Sequence, residues 1–464
     1  MSGDLDALLN PSSVALIGAS ANPAKLSNIA LANLKDGKFR SYPVNPGEKQ
    51  ILGLKCYPSI LEIPDAVDMA IVSLPAEASL GPVRECVEKG VKIVIVTASG
   101  FRESGPAGSK LEESLENAVC GSATRLLGPN TMGVLVPRNG LDTFFISRDR
   151  SPRPGDGETA IISQSGAVSV SSLEKIRAAG IGVSSCVGLG NKADITENDV
   201  LSLLSADPHT RCIAMYLESF SDGREFARIA AETTVSKPIV LLKAGRTKSG
   251  ARAASSHTGA IASSSETVVD GVLAQAGVVR AYDEEELIDT AKAFALKGYL
   301  EGDRICVVAS AGGYGVIASD LVESEDHGAS LRMAKLSEET KERLRNVVPG
   351  YSSVSNPVDL TAAVNDEMYD SVLEILQDDQ NTDGIMMSLE LQPPNVTAKL
   401  IEVARSRSES GARPIVISVF AGEGTEDLVK SLGEQKVLAY PTIWRAVRAM
   451  AALARRGTHL KRLK

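Results

Sequence analysis

Three stretches of this chain open in the same way. "SVALIGAS", "TAIISQSGAVSVSS" and "RICVVASAGGYGVIASD" each run a short β-branched segment into small residues and then into a helical pattern. Their turn glycines, Gly18, Gly166 and Gly312, stand about 150 residues apart, roughly the length of one α/β domain. A β-branched run that ends in a small-residue turn and feeds a helix is the start of a βαβ unit. The parallel strands of such units are buried on both faces. "VDMAIVSLP" and "VKIVIVTASG" are two more such strands, and "AEASLGPVRECVEKG" between them reads as an amphipathic helix closed by Gly90. The pattern predicts an α/β fold of three tandem doubly wound domains, over 1–150, 151–298 and 299–464. The first boundary is expected in "RDRSPRPGDGE" (148–158), rich in Pro, Gly and charge, and the second near "KGYLEGDR" (297–304).

Composition narrows the function classes. A net charge of -9 argues against a general nucleic-acid binder. Six cysteines are scattered without a CxxC or a metal-like spacing, so they read as reduced core residues of an intracellular protein, and no metal site is expected. "MSGDLDALLN" lacks the basic start and apolar run of a signal peptide, and no stretch approaches the roughly 20 apolar residues of a membrane helix. The expectation is a cytoplasmic protein with no membrane partner.

In a doubly wound sheet, ligands bind at the carboxyl ends of the strands. In the first domain those ends carry the loops 18–27, 73–75, 97–100 and 128–130, mostly small and polar, and all but 73–75 containing glycine. "IGASANPAKLSN" has Gly18 but not the G-x-G-x-x-G of dinucleotide folds, which weakens a nicotinamide reading. Lys25 and the helix start still suit a phosphate group, and a plain strand–helix connection is the alternative. In "SQSGAVS", Ser165, Gly166 and Ala167 open a helix whose free N–H groups favour an anion, with ordinary N-capping by Ser163 or Ser165 as the alternative.

"RAASSHTGAIASSS" places His257 among residues that offer almost no bulk. Lys243, Arg246, Lys248 and Arg252 precede it, with Gly245 and Gly250 between them, which suits a mobile loop meeting phosphate. Glu218 closes the strand "IAMYLESF", on the face where the 163–169 helix begins. An imidazole, a carboxylate and an anion-binding helix end on one face suit a phosphorylated histidine: the carboxylate fixes the tautomer, and the helix end holds the phosphoryl oxygens. A solvated basic loop with an incidental histidine is the competing reading. His209, His327 and His459 read as surface residues, and Trp444 as a helix residue packing on its own domain. The Gly312 turn shows no titratable partner beside it, and "SNPVDLT" (355–361) reads as structural.

Taken in order, these segments resemble the α subunit of NDP-forming acyl-CoA synthetases, relatives of succinyl-CoA synthetase. "SVALIGAS", "YPVNP", "IVSLPA", "TASGF" and "LLGPNTMGVL" are similar to the family's Rossmann-like CoA-binding domain. "ISQSGAVS", "YLESF" and "SSHTGAIA" are similar to its flavodoxin-like second domain, and "ASAGGYGVIASD" with "SNPVDL" to the flavodoxin-like third domain of the acetyl-type enzymes. The first loop is less glycine-rich than the succinyl-type version.

The resemblance implies a ligase that interconverts acyl-CoA, ADP and phosphate with a carboxylic acid, ATP and CoA. It implies His257 as the phosphorylated residue and Glu218 as the carboxylate that orients it. Ser165, Gly166, Ala167 and Gly259 would bind phosphate. Gly18, Ser20, Lys25, Ser73, Pro75, Ser99, Gly100 and Asn130 would contact CoA. No G-x-x-x-x-G-K-[ST] sequence occurs. The family keeps its ATP-grasp domains elsewhere, which implies a separate ATP-grasp β subunit carrying ADP/ATP and Mg²⁺, in an α₂β₂ assembly. A non-catalytic CoA-binding regulatory protein and a nicotinamide-dependent dehydrogenase are the rival readings.

Overall fold

A computed structural model describes residues 3–258, 265–325 and 331–463. The chain divides into two compact units, Met1–Lys175 with Gly182–Tyr282, and Ile176–Ile181 with Asp283–Lys464.

The first unit holds two large sheets. The first comprises β1 (Ser13–Ile17), β2 (Arg40–Val44), β5 (Met69–Val72), β6 (Ile93–Val96) and β7 (Arg125–Leu127), in the order β2-β1-β5-β6-β7. All its pairings are parallel. A small antiparallel hairpin, β3 (Gln50–Ile51) and β4 (Leu54–Lys55), lies outside it. Every residue of β1, β5 and β6 is buried, as continuous apolar runs covered on both faces must be. The helix Ala76–Lys89 forms as its pattern predicts and ends at Gly90, whose φ of 75° gives the left-handed cap.

The second sheet contains β8 (Val134–Val136), β9 (Leu141–Asp142), β10 (Asp156–Ser163), β11 (Val183–Gly188), β12 (Cys212–Leu217), β13 (Ile239–Lys243) and β14 (Val279–Ala281). Its order is β14-β13-β12-β10-β11-β8-β9. β8 runs antiparallel to β11, and β9 antiparallel to β8. The chain thus joins the second sheet at Val134, ahead of the 148–158 segment.

The second unit contains one large sheet, of β15 (Arg304–Ala309), β16 (Arg332–Met333), β17 (Val358–Asp359), β18 (Gly384–Glu390), β19 (Ile415–Phe420) and β20 (Ala439–Tyr440). The order is β16-β15-β18-β19-β20, with β17 also on β15. The helix Glu284–Lys297 belongs to this unit, ahead of 297–304. Asp289 accepts two hydrogen bonds from Arg445, at 2.7 Å each, and the buried Lys292 ammonium donates to the Ala439 carbonyl at 3.0 Å. Trp444 is half-buried, with the Arg448 guanidinium 5.7 Å from its ring centre. No helix among the described residues is long and apolar enough to cross a membrane.

Candidate active site

A chain that fills one side of a parallel sheet and then crosses to the other leaves a crevice between the first two strands it laid down in each direction. In the first sheet this switch point lies between β1 and β5. Gly18 sits there with φ 84°, and a Cβ on it would lie 2.6 Å from the Ser73 carbonyl oxygen, so only glycine lets the two loops meet. The Ser20 hydroxyl accepts from the Asn22 N–H at 3.2 Å, and Asn28 donates to the Ser20 carbonyl at 2.7 Å. Lys25, Pro75 and Ser99 are exposed, while Ser73, Gly100 and Asn130 are half-buried. The sequence-predicted CoA contacts therefore line up along one sheet edge, at the ends of adjacent strands.

In the second sheet the switch point lies between β10 and β12. Here the Gln164 side chain joins the two strand ends: its Oε1 accepts from the Glu218 N–H at 2.9 Å and the Ser219 N–H at 3.1 Å. Glu218 is 6% exposed, and the Tyr216 hydroxyl donates to its Oε1 at 3.3 Å. The structure thus brings Glu218 beside the turn that opens the helix Gly166–Ala178. Ser165 also caps that helix, its hydroxyl accepting from the Val168 N–H at 3.4 Å. Lys192, whose side chain is 5% exposed, stands under the same loop. Its ammonium donates to Glu197 at 2.9 Å and to the Ser219 carbonyl at 2.8 Å, and burial pushes its pKa down against the pull of Glu197.

The two strand-end regions share one cavity of about 220 Å³. It is lined by Thr97 and Asn130 from the first sheet's loops, by Met132 and Phe145, by Gln164–Ala167 and by Gly190–Asn191, with Thr131 completing it. What closes it is the segment after β11, which runs against the end of β7: Asn191 N–H donates to Pro129 O at 2.9 Å and Ala193 N–H to Gly128 O at 2.9 Å. Gly190, at φ 60°, would place a Cβ 2.2 Å from the Pro129 carbonyl oxygen, so this approach also needs glycine. The Asn191 amide then donates to Glu103 at 2.6 Å and Glu112 at 2.8 Å, and Arg102 bonds both Glu112 and the Asn191 carbonyl.

Burial acts to raise the Glu103 pKa, but hydrogen bonds from Asn191, Gly100 and Phe101 outweigh it and hold the carboxyl below its ordinary value. A lowered carboxyl pKa contributes stability above the unfolded value, about 4.3 for Glu, and loses it as pH falls through the folded one. Glu103→Gln is expected to melt below wild type at pH 7, and the gap should hold down to about pH 4.3 and shrink only below it. Thermal unfolding of both proteins from pH 7 to below that value checks it.

Sequence reasoning did not single out Gln164, Met132, Phe145, Asn191 or Lys192. Gln164 lay inside the "SQSGAVS" segment, and "GNK" (190–192) follows a strand on the ligand-binding side, so a signal existed for both. Three other readings change. Lys243, taken as a charge offered to phosphate, is buried, and its ammonium donates to the carbonyls of Glu218 at 2.7 Å and Ala244 at 2.6 Å. The segment before His257, expected as loop, is helical over Lys248–Thr258. Its alanines favour helix, and the Thr247 hydroxyl accepts from the Gly250 N–H at 3.0 Å. His257 is thus a residue of that helix; its side chain, with Gly259 and His327, lies outside the described residues. His459 is half-buried rather than on the surface.

The Gly312 turn does have a titratable neighbour. Glu390, at the end of β18 and 4% exposed, accepts from the Ser310 hydroxyl and from the Ser388 hydroxyl, the latter at 2.6 Å. The "SNPVDLT" segment is structural as expected at Asn356, which donates to the Ile305 carbonyl at 2.7 Å and accepts from the Val307 N–H at 2.9 Å.

A parallel-sheet crevice that joins a CoA-type domain to a helix opening suited to phosphate defines a class, and the sequence models agree. Residues 12–137 match a CoA binding domain, 156–294 a succinyl-CoA ligase like flavodoxin domain, and 305–459 a ligase-CoA domain. The chain is 37% identical over 459 residues to the α subunit of acetate–CoA ligase [ADP-forming] I from Pyrococcus furiosus, covering 97% of each. It is 35% identical over 451 residues to acetate–CoA ligase [ADP-forming] I of Archaeoglobus fulgidus, covering 97% of this chain and 63% of that longer protein. Its fold matches the dinucleotide forming acetyl-coenzyme A synthetase 1 of Ca. Korarchaeum cryptofilum, solved in complex with phosphate and ADP. That match has a TM-score of 0.91 and 34% identity, and covers 100% of this chain and 99% of the other. The chain belongs to the α subunits of the ADP-forming acetate–CoA ligase family.

Proposed function

We propose that the chain binds CoA and carries a phosphoryl group on His257, in the reaction acyl-CoA + ADP + phosphate ⇌ carboxylic acid + ATP + CoA. One observation carries this reading. A single cavity is lined both by strand-end loops of the CoA-binding region, Thr97 and Asn130, and by the helix opening Ser165–Gly166–Ala167. A thioester reaching in from the first and a phosphate held at the second would meet there. A phosphate oxygen attacks the thioester carbonyl carbon, the C–S bond breaks, and the CoA thiolate leaves. The acyl phosphate then gives its phosphoryl group to an imidazole nitrogen of His257, and the carboxylate leaves. The N–H groups opening the helix stabilise the phosphoryl oxygens, and Glu218 holds the imidazole in the attacking tautomer. ADP finally takes the phosphoryl group.

The phosphate and ADP in the korarchaeal relative's complex support a reaction that uses both ligands. Nucleotide and Mg²⁺ belong to an ATP-grasp β subunit in an α₂β₂ assembly. Among the described residues no group of three His, Cys, Asp or Glu side chains is placed to hold a metal ion, and no step above is routed through one. Six free cysteines, five of them buried, fit the reducing cytoplasm.

With its partner subunit, the chain should form ATP from acetyl-CoA, ADP and phosphate, and omission of any one should stop it. Saturable CoA binding without ATP formation in the complete mixture would favour a regulatory role instead.

A further inference from the structure

We infer that Met132, with Phe145 lining the same cavity, sets the size of the acyl group accepted. The inference rests on the reading above, in which the cavity holds the acyl carbonyl and the phosphate together. Among the described residues that line it, none is charged, and Met132 and Phe145 are the large apolar side chains. Such a cavity orients a ligand by its few polar groups and selects it by the shape of its apolar wall. Phosphate at the Ser165–Gly166 turn puts the carbonyl carbon beside that turn, so the acyl tail meets whatever side chain adjoins it. That side chain is Met132: a Cβ built on Gly166 would lie 2.7 Å from its Cγ and 3.4 Å from its Sδ.

The Met132 backbone is pinned. The Thr131 hydroxyl donates to the Gly188 carbonyl at 2.6 Å and accepts from the Gly133 N–H at 3.0 Å. Met132 is 7% exposed. Its unbranched thioether is the part free to change shape, which suits a wall that adjusts to a tail. The same 220 Å³ also has to hold phosphate and thioester, so volume given up at position 132 passes directly to the acyl group.

The test assays the enzyme assembled with its partner subunit, in the thioester-forming direction, with acetate, butyrate and phenylacetate. Wild type is compared with Met132→Ala and Met132→Phe, which change the wall in opposite directions. Met132→Ala should raise the ratio of kcat/KM for phenylacetate over acetate about 10-fold or more. Met132→Phe should lower the ratio for butyrate over acetate by about 10-fold, the range a hydrophobic pocket achieves per few methylenes. Ratios within about twofold of wild type in whichever variants melt normally would overturn the role of Met132. A wild-type assembly that activates none of the three acids and forms no ATP from their thioesters fails at the functional reading itself, a result distinct from unchanged ratios.

Discussion

His257→Ala is expected to abolish ligase turnover, with kcat reduced by about 10⁴-fold or more, the scale on which removal of a covalent nucleophile acts. The size follows from the chemistry. A phosphoryl group that must pass from an acyl phosphate to ADP through an imidazole has no second route when the ring is gone. Acetyl phosphate should then leave no acid-labile, base-stable phosphate on the protein. CoA affinity should stay within about threefold of wild type, because the strand-end loops that meet at Gly18 and Ser73 are built by a different sheet. Stopped-flow or steady-state assays of the assembled enzyme, with a parallel CoA titration, check both halves. Residual turnover within about tenfold of wild type would mean the phosphoryl group travels elsewhere.

Glu218→Gln is expected to lower kcat by about 10³- to 10⁴-fold while leaving KM for the thioester near its wild-type value. The amide preserves size, and the strand end is held by backbone groups. The Glu218 N–H bonds Gln164 at 2.9 Å, and the Glu218 carbonyl accepts from Lys243 at 2.7 Å. The fold should therefore survive. On the proposed mechanism, what disappears is the carboxylate that keeps the histidine in one tautomer and stabilises the cationic ring formed on phosphorylation. In triads where a carboxylate orients a histidine, that loss costs about 10⁴-fold. A Glu218→Asp protein, retaining charge but not reach, should recover part of the rate. A Gln variant with wild-type kcat would leave Glu218 a structural residue only.

The two effects depend on features of different legibility. Each of the three strand–turn–helix openings could be read directly, because a buried parallel strand is a continuous apolar run and its turn needs small residues. Gly18, Glu218 and the Ser165–Gly166 turn followed, since strand ends on one face are where ligands sit. The crossing of the chain into the second sheet at Val134 could not be read. β8 and β9 have three and two residues, too short to show any period.

Gln164, Asn191 and Lys192 were hidden for another reason. Each is an ordinary polar loop residue whose meaning comes from a partner far along the chain, as when Gln164 reaches Ser219 or Asn191 reaches Glu112. Glu390 was missed likewise. It becomes a neighbour of the Gly312 turn only once β18 pairs with β15, matching Val308 to Met387. The Lys248–Thr258 helix was obscured by its serines and its glycine, which outweighed the alanines in a sequence reading but not in the folded chain.

All of these expectations share one premise, that phosphorus is carried on a single nitrogen of this chain. Tandem mass spectrometry under alkaline conditions, on enzyme quenched during turnover, reads this directly. The account predicts phosphate on the peptide containing residue 257, assigned to the imidazole and lost on mild acid treatment. Phosphate found at full occupancy on any other residue of this chain, or turnover with none bound here at any time point, would contradict it.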